Sequence, residues 1–146
     1  NDDKWVPLYK QASELPNVNY IGYRPNQFIL DNLQNYHIFA YPSIWEETSC
    51  ISAIECMSAG LYSIVTNYGA LYETCSEFPI YVQYLQDYKL LAQSFATAID
   101  IAADTLHLNV IQSNLDMQQE FYKRFYSWEK QADTWSNFLR GVTNVK

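Results

Sequence analysis

Glu47 and Glu55 are two carboxylates eight positions apart in the run Tyr41-Pro42-Ser43-Ile44-Trp45-Glu46-Glu47-Thr48-Ser49-Cys50-Ile51-Ser52-Ala53-Ile54-Glu55. The run leaves an apolar strand, His37–Tyr41, and enters an amphipathic helix predicted over Ser49–Ala59, with Gly60 as its left-handed terminator. This reading puts Glu47 at the helix mouth and Glu55 about one and a half turns inside, roughly 9 Å further along the axis. Two acids so placed, beside the free N–H groups of a helix start, can grip hydroxyls at both ends of a ligand whose middle carries phosphates. A nucleoside diphosphate sugar has that shape. Plainer readings exist for the neighbours. Glu46 is out of register and suits an ordinary N-terminal charge. His37 opens a strand and reads as structural. Cys50, at a helix start, has a setting that can activate a thiol.

The elements that must position these groups alternate helix and strand. Asp3 is placed to cap a helix over Lys4–Glu14 with Trp5, Leu8, Tyr9 and Ala12 on its apolar face. Pro16-Asn17 turns the chain into a strand at Val18–Gly22, and Arg24-Pro25-Asn26 opens a helix to about Gln34. His37–Tyr41 and Leu61–Thr66 read as strands covered on both faces, and Ile80–Tyr84 as a shorter one. Helices are predicted from Asp87 to about Asp104 and over 106–141, the second interrupted near Tyr126-Ser127-Trp128. Strands separated by helices imply an α/β fold, a doubly wound and mostly parallel Rossmann-like sheet, in one domain over 1–146. Ligands of such sheets bind beyond the carboxyl ends of the strands, where Tyr23, Ser43–Cys50 and Asn67–Glu73 fall.

Composition narrows the partners. The chain has 146 residues, 49% hydrophobic and 17% charged, which is globular and large enough for a sizeable core. A net charge of −7 offers no basic stripe and argues against nucleic acid. An anionic ligand must then be met locally, by helix N-termini and a few cations such as Arg24 and Lys89. The three cysteines contain no C-x2-C pair, so neither zinc nor a dithiol redox pair is supported. No apolar stretch approaches the roughly 20 residues that span a bilayer, and no signal sequence is visible; a cytoplasmic setting is the expectation.

Five blocks in order resemble the family-4 retaining glycosyltransferases, whose two Rossmann-like domains form the glycosyltransferase B fold. Leu15-Pro16-Asn17-Val18-Asn19-Tyr20-Ile21-Gly22 is similar to the family's "l-p-n-V-x-f-x-G", and Tyr41-Pro42-Ser43 to its "x-P-S". Glu47 and Glu55 fit E-x7-E, with Glu55-Cys56-Met57-Ser58-Ala59-Gly60 similar to "E-A-M-A-x-G". Ser63-Ile64-Val65-Thr66 and Tyr68-Gly69-Ala70-Leu71-Tyr72-Glu73 resemble "P-V-V-x…G-G-x-x-E", and Phe125-Tyr126-Ser127-Trp128 resembles "r-F-S-W".

The resemblance implies glycosyl transfer from a nucleoside diphosphate sugar, with retention, to a glycan or lipid-linked acceptor, and without a metal or other cofactor. Glu47 would be the catalytic residue, holding the transferred sugar's hydroxyls and supporting the charge that develops at the anomeric carbon. Glu55 would hold the ribose. Thr48, Ser49, Cys50 and Ile51 would offer donor-binding contacts at the helix mouth, with Gly69 nearby and backbone at Tyr23 facing the base. Ser49 and Cys50 stand where the family has Phe and Gly, so Cys50 is expected to take a backbone conformation suited to glycine. The family's phosphate-binding Arg and Lys lie on a strand–helix unit that this chain lacks. The chain therefore reads as the C-terminal, donor-binding part of a larger enzyme, inactive alone, with its acceptor site and any membrane contact on an absent N-terminal domain. In the order 3-2-1-4-5-6, Val18–Gly22 would be strand 3 and His37–Tyr41 strand 4; lacking strands 1 and 2, the fragment is expected to be completed by preceding chain or to self-associate. An epimerase or phosphorylase of the same fold, or a non-catalytic scaffold, are the alternatives.

Overall fold

The protein is described here from a computed structural model over residues 2–143, and it divides into two units between Asn32 and Leu33. In the first unit a 3-10 turn at Asp2–Trp5 leads into helix α1, Val6–Glu14, and helix α2 follows at Asn26–Asn32. The side chain of Asp3, the expected cap, lies outside the described residues. The strand expected at Val18–Gly22 does not form. A strand exists through its ladder, and no described segment pairs with this one. Its ends are bent instead by positive φ at Asn17 (65°) and Gly22 (63°), while Tyr20 stacks on Tyr9 of α1 with ring centroids 5.4 Å apart.

The second unit is built on a parallel sheet of β1 (Ile38–Tyr41), β2 (Tyr62–Asn67) and β3 (Ile80–Gln83), in the order β1-β2-β3. The register pairs Tyr41 with Val65 and Asn67 with Gln83. Residues 62–66 of β2 are all buried, as the unbroken run Tyr-Ser-Ile-Val-Thr demands of a strand covered on both faces. Alternation then divides the core. Phe39, Tyr41, Val65 and Tyr81 pack with helices α3 (Ile51–Ser58), α4 (Leu71–Cys75) and α6 (Asn109–Tyr126) through Ala53, Met57, Leu71, Cys75 and Tyr122. Ile38, Tyr62, Ile64, Ile80 and Val82 pack on the other face against Leu91, Phe95, Ala98 and Ala102 of helix α5 (Tyr88–Thr105). The result is a Rossmann-like three-layer arrangement of consecutive parallel strands flanked by helices.

Helix ends follow local chemistry. Asp87 caps α5 by accepting from the N–H groups of Lys89 (2.9 Å) and Leu90 (3.2 Å). Gly60, at φ +85°, closes α3, where the Leu61 N–H reaches Cys56 O at 3.1 Å. Gln118, on the buried face of α6, adds two donor bonds from Nε2 to Met57 O (3.1 Å) and Leu61 O (3.0 Å). The predicted break falls at Ser127, with ψ 148°, before helix α7 (Trp128–Thr143). Among the described residues no helix is long and apolar enough to cross a membrane.

Candidate functional site

All three strands point their carboxyl ends to one edge, and the loops leaving β1 and β2 meet there. The β1 loop, residues 42–50, is tied down at several points. Thr66 Oγ1, near the end of β2, donates to Ser43 O at 2.6 Å. The Ser43 hydroxyl accepts from the Trp45 N–H at 3.2 Å, and the Glu47 N–H returns to Trp45 O at 3.0 Å. Ser43 thus helps to fold a turn that is bonded both within itself and to the end of β2.

Glu47 is the most constrained member of the loop. Its carbonyl accepts from the Ala70 N–H at 2.8 Å, joining it to the loop after β2. Gly69 stands against the same backbone. A Cβ added at Gly69 would lie 2.6 Å from Glu47 N and 2.9 Å from Glu47 O, and φ there is +58°. Only glycine permits that approach in that conformation. The carboxylate of Glu47 is held from the strand: Tyr41 Oη donates to Glu47 Oε1 at 2.7 Å. Burial, the Glu47 hydrogen bond and the nearby Cys50 all push the Tyr41 phenol well above the usual tyrosine range, so it keeps its proton and acts as a donor.

The other expected residues fall as follows. The helix starts at Ile51 and not at Ser49, so Glu47 lies on the loop before the helix and Glu55, half-buried, is the fifth residue of α3. The acids therefore do not share one helix axis. The local bonds that fold the loop keep its residues out of helical geometry. Thr48, Ser49 and Ile51 are exposed, and Glu46 is exposed beside them. Cys50 takes φ −105° and ψ 96°, an extended conformation open to any residue; the strain expected from replacing glycine is absent. Its side chain is buried in the core, and burial raises its pKa, against the pull of the Ala53 and Ser52 amides. A thiol so placed is not an activated nucleophile. Tyr23 belongs to the first unit, where it is 90% exposed and its carbonyl accepts from Arg24 Nη1 at 2.9 Å.

The residue that sequence reasoning missed is Tyr41. Its partner is six positions away across a loop whose path no periodicity reveals. A hydroxyl-bearing residue closing an otherwise apolar strand, Ile38-Phe39-Ala40-Tyr41, was the one signal available.

A three-stranded parallel sheet flanked by helices, with a loop-borne acid fixed beyond the carboxyl end of its first strand, defines a domain of the Rossmann-like class. The match with known families is more specific: the model of "Glycosyl transferases group 1" matches residues 2–105, more than two thirds of the chain, and the chain belongs to that family. It is a glycosyltransferase domain. Neither the curated proteins nor the solved structures contain a match.

Proposed function

We propose that this chain is the donor-binding part of a retaining glycosyltransferase of the family-4 type, with the glycosyltransferase B fold, acting on a nucleoside diphosphate sugar and a glycan or lipid-linked acceptor. The observation that carries this reading is the fixing of Glu47 beyond the carboxyl end of β1, eight residues ahead of Glu55 on α3. In this reading Glu47 contacts the transferred sugar's hydroxyls and supports the positive charge at the anomeric carbon, an interaction that strengthens toward the transition state. Glu55 holds the ribose hydroxyls. Thr48 and the amides of Ser49, Cys50 and Ile51 meet the sugar or the departing diphosphate at the start of α3. Gly69 serves the site by letting the β2 loop close on Glu47.

The acceptor is held by a second domain, which also makes any contact with a membrane surface; the donor half works in the cytoplasm and uses neither a metal nor a further cofactor. In the described sheet β1 pairs only with β2, an edge that suits addition of a strand from further chain or self-association. Calorimetric titration of the complete polypeptide with UDP, GDP and their sugars tests the donor class. Binding of a nucleoside diphosphate that Glu55→Ala weakens is the expected result. Absence of binding by every nucleotide and nucleotide sugar would overturn the reading.

A further inference from the structure

We propose that Tyr41 is the positioning residue for Glu47, presenting its carboxylate to the transferred sugar in one fixed orientation. The inference rests on the reading of Glu47 given above. It comes from two contacts that leave the glutamate little freedom and from the way the sheet carries one of them. Tyr41 is the last residue of β1, paired with Val65 in the central strand, and its ring stacks on Phe39 with centroids 5.5 Å apart and planes 13° from parallel. Phe39 is itself packed into the core on that face. The phenol oxygen is thus carried by the sheet and not by a loop. Glu47 hangs on a loop, and a glutamate there would ordinarily sample several rotamers. Here its backbone is bonded to Ala70 and its Oε1 to the phenol, 2.7 Å away. The phenol takes one of about four lone-pair sites that a carboxylate offers, so sites remain for sugar hydroxyls.

A rigid support of this kind matters because small displacements of a reacting group are costly: about 1 Å of misplacement lowers rate on the order of a hundredfold. The competing explanation is that the phenol merely finds an acceptor at the edge of the core. That role would move stability and leave the balance between turnover and donor binding untouched.

Tyr41→Phe, which keeps the ring and its stack, separates the two in the complete polypeptide. Turnover should fall roughly tenfold to a hundredfold, the range for losing one hydrogen bond to a charged group, while KM for the donor changes by less than about threefold. In a Glu47→Ala background, which removes the acceptor, the same substitution should add almost nothing. If Glu47→Ala leaves turnover unchanged, the function proposed for Glu47 is wrong. If Glu47→Ala impairs turnover but Tyr41→Phe does not, or Tyr41→Phe costs the same in both backgrounds, Tyr41 does not act through Glu47 and the inference fails. Should Tyr41→Phe melt too low to assay, Glu47→Asp cuts the same contact from the other side by retracting the carboxylate. Full turnover in Glu47→Asp would also overturn the proposal.

Discussion

Gly69→Ala is the substitution whose cost can be worked most directly from the structure. At φ +58° an L side chain carries about 1–2 kcal/mol of backbone strain. The new Cβ would also lie 2.6 Å from Glu47 N, 2.9 Å from Glu47 O and 3.1 Å from Glu46 C. These are backbone atoms, so no side chain can rotate away. If the fold absorbs the clash, overpacking adds about 1–3 kcal/mol. The sum, about 2–5 kcal/mol, corresponds to a drop in Tm on the order of 10 °C for a chain of this size. If the β1 loop yields instead, the Ala70–Glu47 bond at 2.8 Å is strained and Glu47 is displaced, with turnover falling on the order of a hundredfold. Thermal denaturation and steady-state kinetics of one preparation read both outcomes. Gly60→Ala is the control. It shares the positive φ (+85°), but its Cβ would meet nothing nearer than the Gln119 side chain at 3.4 Å, so only the strain applies and turnover stays unchanged. If Gly69→Ala is no worse than Gly60→Ala in both assays, the packing of Gly69 on the Glu47 backbone is not as described.

Tyr122→Phe should cost about 1–3 kcal/mol in urea denaturation, because the buried hydroxyl donates to Thr74 O at 2.6 Å and its loss strands that carbonyl. Alkaline pH should destabilise the fold. Burial raises Cys56 and Cys75 from 9.0 up to about 12, and lifts the Tyr81 and Tyr122 phenols in the same direction. The unfolded chain ionises first, so this contribution is whole below about pH 9 and is lost as pH rises toward 12. Melting temperatures that stay level from pH 8 to pH 10.5 would contradict the burial of these groups.

Much of the second unit was legible because its signals are local or periodic. Asp87 followed by Leu91, Phe95, Ala98 and Ala102 announces both the start and the buried stripe of α5. The largely β-branched stretch Ser63-Ile64-Val65-Thr66 after Leu61-Tyr62 announces a buried strand, and Gly60 the end of α3. The failures are non-local. Val18–Gly22 has strand-forming residues, but a strand needs a partner, and propensity carries no information about one. Five-residue α4 is too short to show a period. At the candidate site, the two acids were singled out by their spacing and the family resemblance. The contacts that fix Glu47 were not, because Tyr41, Gly69 and Ala70 reach it across two loops. Replacement of glycine at Cys50 suggested strain that the extended backbone does not carry.

If the two glutamates divide the work of donor binding and transfer, paired kinetics and calorimetry on Glu55→Ala and Glu47→Ala in the complete polypeptide will separate their effects. Glu55→Ala should weaken donor binding by about 2–3 kcal/mol, as expected for charged hydrogen bonds to ribose. Glu47→Ala should lower turnover more than donor affinity, because its contacts strengthen as charge develops. Equal and mild effects from both substitutions would contradict this division of roles between Glu47 and Glu55.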